Sequence, residues 1–141
     1  MRINRHVLCA LIVSCSWVTW SCSTGSFAPE TGPEVATVLV TEEQDGLQVN
    51  LGQGDFLLVR LESNPSTGYS WEITDNDEAI LRQLGEPVFR ASSSAVGAGG
   101  TETFSFEAIE EGSSVLRLIY HRSFEEDEEP LETFSQRVVI E

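Results

Sequence analysis

After residue 35 the chain alternates apolar and polar positions in short, regularly spaced runs. Leu57, Val59 and Leu61 share one parity, and Phe104, Phe106 and Ala108 share another. Successive side chains of a strand leave opposite faces, so a period of two with β-branched and aromatic enrichment marks half-buried sheet rather than helix. The pattern predicts strands over 36–41, 46–51, 56–62, 70–74, 80–84, 88–91, 103–109, 115–121 and 133–140. Only 79–83, with its good helix formers, offers a competing helical turn, and it is too short to change the class. Asp45-Gly46, Gly52-Gln53-Gly54-Asp55 and Glu110-Glu111-Gly112 interrupt the runs where a chain must reverse. An all-β sandwich of two antiparallel sheets follows. Its expected core contributors are Trp71, Phe89, Phe104, Phe106, Leu118, Tyr120 and Phe134.

The N-terminal segment has a different pattern. Arg2, Arg5 and His6 precede an apolar run over 7–18 that is interrupted only at Ser14 and Ser16. This is the layout of an export signal, too short to span a bilayer comfortably and followed by polar small residues rather than a charged stop-transfer flank. Ser21 is a small residue suited to cleavage before Cys22, which opens the tether Ser23-Thr24-Gly25-Ser26. The site resembles a bacterial lipobox with thioether lipidation of Cys22, although Thr19 and Trp20 stand where such boxes carry an aliphatic and a small residue. Ordinary cleavage nearby and an uncleaved anchor are the alternatives. The expected organisation is a signal over 1–22, a Pro- and Gly-containing linker over 23–34 and one domain over 35–141. The expected location is outside the cytoplasm, as a bacterial lipoprotein at a membrane or cell surface, or otherwise periplasmic or secreted.

Composition removes several classes of function. Cys9, Cys15 and Cys22 are the only cysteines, so the domain has no disulfide and no Cys-based metal or redox site. Once Arg2 and Arg5 leave with the signal, six basic residues face 23 acidic ones, a formal charge of −17. Nucleic acid is not an expected partner. Every basic residue is Arg, which nothing in the sequence explains. His121 is the only histidine outside the signal, and no Ser sits in a nucleophile elbow or phosphate loop, so no enzyme and no cofactor are expected. Glu125-Glu126-Asp127-Glu128-Glu129 lacks the oxygen-ligand spacing and glycine bend of a calcium loop. It reads as a solvated loop or a surface that steers a basic partner, and no metal is expected.

Three segments fall outside the strand pattern. In Asn64-Pro65-Ser66-Thr67-Gly68-Tyr69, Pro65 fixes its own φ and restrains Asn64, while Gly68 permits backbone geometry closed to other residues. A stiff, small-residue projection with Thr67 near its tip follows, and a stiff loop loses little entropy on docking. The second segment, Ser92 to Thr101, is nearly free of bulk and could lie flat on another backbone or be a floppy connection. The third, Arg122-Ser123-Phe124, places an aromatic beyond the strand as an exposed anchor or as packing over one end of the sandwich. Trp71, at the start of the next strand, is expected as a core plug, while Tyr69 is balanced between core and surface.

These strings, together with Gly97-Ala98-Gly99-Gly100 leading to Phe104 and Leu118-Ile119-Tyr120-His121-Arg122-Ser123-Phe124, resemble the three signature segments of the chagasin family. Its members are proteinaceous inhibitors of papain-like cysteine peptidases, and the resemblance covers residues 46–140. It implies an immunoglobulin-like β-sandwich whose loops at one end block the peptidase cleft reversibly and without chemistry. By position, Asn64, Pro65, Ser66, Thr67, Gly68 and Tyr69 form the central loop, with Thr67 nearest the catalytic cysteine. Val96, Gly97, Ala98, Gly99, Gly100 and Thr101 form a flanking loop, and Arg122, Ser123 and Phe124 form the third. Members usually carry Arg-Pro-Trp at the third loop, so Ser123 and Phe124 lose preorganisation and contact area. Ser66 for the commoner Thr is a mild change. The implied partner is a papain-like cysteine peptidase; the domain itself is expected to be monomeric and to meet membrane only through a lipidated Cys22. An exported adhesion or carbohydrate-binding module is the competing class, and a small hydrolase using His121 is a third.

Overall fold

A computed structural model of the protein describes residues 32, 34–124 and 129–141. The signal over 1–22 with Cys22, most of the 23–34 linker and the acidic residues 125–128 lie outside the described residues.

The nine expected strands are all present: β1 (Thr37–Thr41), β2 (Gln48–Leu51), β3 (Phe56–Ser63), β4 (Ser70–Asp75), β5 (Leu81–Gln83), β6 (Val88–Ala91), β7 (Gly100–Ala108), β8 (Gly112–His121) and β9 (Glu132–Ile140). They form two sheets. One runs β1-β3-β7-β5 with β6 also on β7, and the other runs β2-β9-β8-β4. Chain order alternates between the sheets through β4, so consecutive strands face each other across the core rather than pairing. Hydrophobic alternation turns one row of each sheet inward. Leu57, Val59 and Leu61 on β3 and Phe104, Phe106 and Ala108 on β7 meet Leu116, Leu118 and Tyr120 on β8 and Phe134, Val138 and Ile140 on β9, all buried. This is the immunoglobulin-like sandwich, held without any disulfide by its apolar interior.

Three details depart from the expected pattern. The sheets are mixed rather than wholly antiparallel, because β1 pairs with β3 and β2 with β9 in parallel register. Both parallel pairs arise because their members are separated in sequence by a strand of the opposite sheet or by most of the domain, connections no hairpin could make. Phe89, expected in the core, is 38% exposed. It lies on β6, which pairs with β7 alone at the edge of its sheet, so its ring is covered from one side only. Third, β7 starts at Gly100 rather than at 103, and β8 at Gly112 rather than at 115. A Cβ on Gly100 would lie 2.1 Å from the Arg90 carbonyl oxygen, so the β6–β7 pairing brings two backbones together where only glycine fits.

At one end of the sandwich the inward rows turn polar. Ser63 and Glu102 continue the buried faces of β3 and β7, and the Ser63 hydroxyl donates to Glu102 Oε2 at 3.0 Å. This bond joins the strand that leads into the Asn64–Tyr69 loop to the strand that follows the glycine-rich segment. The two loops therefore leave the body from a common, hydrogen-bonded base.

Candidate inhibitory edge

The central loop is a single 3₁₀ turn, Pro65–Thr67, between Asn64 and Gly68. Asn64, which precedes proline, stays out of the helical region, with φ −139° and ψ 83°. Gly68 closes the turn in the left-handed region at φ 81°, and its N–H donates to the Pro65 carbonyl at 3.0 Å. Side chains lock the same geometry. The Ser66 hydroxyl donates to Asn64 Oδ1 at 2.6 Å, and the Thr67 hydroxyl donates to the Asn64 carbonyl at 2.6 Å. Thr67 is exposed at the tip, yet its hydroxyl proton is spent inside the loop. What the tip presents outward is therefore the threonine methyl group and the lone pairs of its oxygen.

The glycine-rich segment is a closed loop rather than a floppy connection. Ser92 N–H and the Ser92 hydroxyl both donate to the Gly99 carbonyl, at 3.0 and 2.7 Å, and Ala98 N–H donates to the Ala95 carbonyl at 3.1 Å. Val96 stands fully exposed at its tip. The Gly97 carbonyl faces the central loop, 3.4 Å from both Asn64 Nδ2 and Ser66 Oγ. Gly100 and Thr101, placed in this loop by the resemblance, are the first residues of β7 instead.

The third segment follows β8 and leans on the central loop from the other side. Phe124 is 69% exposed, and a Cβ added at Gly68 would come within 3.2 Å of its Cε1. Its ring therefore lies directly over Gly68. Arg122 places its guanidinium carbon 4.5 Å from the centre of the Tyr69 ring. Tyr69 stacks on Tyr120 at 5.4 Å, and Tyr120 meets Trp71 at 5.1 Å. Trp71 is a core plug, 6% exposed, with its indole N–H donating to the Glu62 carbonyl at 2.8 Å. Tyr69 is half-buried and packs against that core, which leaves Thr67, Val96 and Phe124 as the outward groups of the edge.

His121 lies on the opposite, outer face of its sheet, where Nε2 meets Glu72 Oε2 at 2.6 Å. The contact ties β8 to β4 and involves a carboxylate rather than a nucleophile. No group of three His, Cys, Asp or Glu residues is arranged to hold a metal ion among the described residues.

Sequence reasoning named all three loops but missed Tyr120 as part of the edge. Its hydroxyl accepts the Asn64 N–H at 2.8 Å, across 56 residues of chain. In sequence it is one more inward position of a period-two strand.

Comparison with known proteins gives these loops a family. The profile of the chagasin family, peptidase inhibitor I42, matches residues 50–138. Among curated proteins, amoebiasin-2 of Entamoeba histolytica is 27% identical over 113 residues, covering 78% of this chain and 90% of that protein. Chagasin of Trypanosoma cruzi is 28% identical over 87 residues, covering 59% of this chain and 79% of that protein. Among solved structures, a cysteine protease inhibitor of Entamoeba histolytica superposes with a TM-score of 0.68 at 25% identity, over 78% of this chain and all of that one.

Proposed function

This chain belongs to the chagasin family of peptidase inhibitors, and we propose that it inhibits by laying the Asn64–Tyr69 loop into the centre of a peptidase cleft. It is a reversible, non-catalytic inhibitor of papain-like cysteine peptidases. The observation that supports this mode of binding is the convergence of three loops on one edge. The Gly97 carbonyl lies within 3.4 Å of the central loop on one side, and Phe124 covers Gly68 on the other.

Thr67 would face the catalytic thiolate. A peptidase attacks a carbonyl held in line with its thiolate and oxyanion donors. The Thr67 methyl group and a hydroxyl already bonded to the Asn64 carbonyl offer no such electrophile. Val96 would enter the substrate-binding side and bury an apolar side chain that is otherwise in water. Phe124 and Arg122 would grip the opposite wall, near the catalytic histidine. Because the central and glycine-rich loops are held by their own hydrogen bonds, little of their ordering entropy remains to be lost on binding. Titrating papain with the purified protein tests this reading. Activity should fall to near zero at equimolar inhibitor, return on dilution and leave the added protein uncleaved. Cleavage within 64–69 at a rate matching a peptide substrate would overturn it.

We also propose that the chain is exported and carries lipid on Cys22, on the strength of the basic and apolar pattern over 1–18 and of Ser21 before that cysteine. The relatives come from Entamoeba and Trypanosoma, and Thr19 and Trp20 depart from the bacterial motif. The mass of the mature N-terminus decides the point. A diacylated Cys22 supports the anchor, and an unmodified terminus near residue 22 reduces the segment to an ordinary secretion signal.

A further inference from the structure

Two of the three loops of the inhibitory edge are joined to one buried ring. Tyr120 ends the inward row of β8 and is only 7% exposed. Its hydroxyl accepts the N–H of Asn64, the residue at which the central loop begins. Its ring stacks on Tyr69, where that loop ends, and on Trp71 beyond it. Two residues further along its own chain, Arg122 opens the third loop and returns over the outer side of Tyr69. The entry and exit of the central loop and the start of the third loop are thus referenced to a single side chain.

We propose that Tyr120 is the positioning residue of the inhibitory edge, its phenol hydroxyl setting the height of Asn64 and through it the placement of Thr67. The inference rests on the reading of 64–69 as the inhibitory loop. The hydroxyl matters separately from the ring. Pro65 has no N–H, so the Asn64 amide is the last backbone donor before the turn, and its bond to Tyr120 is the tie between the loop's first residue and the core. With phenylalanine at 120 the ring contacts stay and the amide loses its acceptor. The loop then samples positions displaced from the one that fits the cleft, and docking must restore the order that the phenol otherwise supplies beforehand.

The test compares Tyr120→Phe with wild type and with Leu118→Val, a control on the inward face of the same strand, away from the loops. Three quantities are read: amide hydrogen exchange at Asn64 without any peptidase, the unfolding midpoint, and the inhibition constant against papain. Tyr120→Phe should speed exchange at Asn64 by about 10-fold or more, leave Phe106 and Leu118 amides slow, and weaken inhibition by about 5- to 20-fold. Leu118→Val should lower the midpoint at least as far and leave the inhibition constant within about twofold. Equal inhibition by Tyr120→Phe and wild type would overturn the proposal. So would an Asn64 amide no faster than in wild type, or a Leu118→Val loss as large as that of Tyr120→Phe. Failure of the parent reading has its own signature, wild-type protein that leaves papain active, whereas the exchange comparison still shows whether the phenol holds the loop.

Discussion

Gly68→Val is expected to weaken inhibition of papain by about 100-fold or more, the range expected when a central contact of an interface is lost, while the sandwich stays folded. Two independent observations produce this effect. The residue sits at φ 81°, where an L side chain costs roughly 1–2 kcal/mol and a β-branched one more. Its Cβ would also come within 3.2 Å of Phe124 Cε1, before the two valine methyl groups are added. The strain has two exits. If residue 68 moves to negative φ, the N–H to Pro65 carbonyl bond that closes the 3₁₀ turn is lost and Thr67 moves. If the turn holds, Phe124 is pushed off the loop and the third segment loses its seat. Either way the edge changes shape while the buried rows of β3, β7, β8 and β9 are untouched, so the unfolding midpoint should fall by no more than about 10 °C. An inhibition constant within threefold of wild type in a folded protein would show that neither the turn nor Phe124's position matters to binding.

The expected strands were legible because the interior is lined by a period-two pattern that survives in Leu57-Val59-Leu61 and Phe104-Phe106-Ala108 without help from context. Partner choice was not. Which strand lies beside which depends on contacts between distant segments, and the parallel β1–β3 and β2–β9 pairs have no local signature. Phe89 is misleading for a related reason, since an aromatic residue reads as core in any strand, whereas its exposure is set by β6 having only one neighbour. Gly100 carries no side chain to announce a strand, so the period-two pattern of β7 is visible only from 103 onward. At the edge, Pro65 and Gly68 were legible as turn chemistry with known backbone consequences. The inward donation of the Thr67 hydroxyl to the carbonyl three residues back is a short-range habit of Ser and Thr, and it could have been found from sequence. The bond from Asn64 to Tyr120 could not, because its two ends are joined only by the fold.

Trp71→Ala should do the reverse of Gly68→Val, removing stability first and inhibition only secondarily. The indole is almost wholly buried, packs 5.1 Å from Tyr120 and donates to the Glu62 carbonyl at 2.8 Å. Truncation leaves a cavity at the loop end of the core and costs about 3–5 kcal/mol. It also strips the Glu62 carbonyl of its indole partner beside the buried Ser63–Glu102 pair. For a domain of this size the midpoint should fall by about 15–30 °C, and residues 35–141 contain no cysteine whose disulfide could limit the loss. Below the midpoint, molecules that remain folded still carry Pro65, Gly68 and the bonds internal to the turn. Their inhibition constant should therefore rise by less than about 10-fold, as Tyr120 loses one of its two ring neighbours. The two variants thus separate what holds the body together from what shapes its edge. Thermal unfolding and papain titration of the same samples measure both quantities. A Trp71→Ala protein with a near-wild-type midpoint, or a Gly68→Val protein as unstable as Trp71→Ala, would show that the loop and the core beneath it cannot be separated in this way.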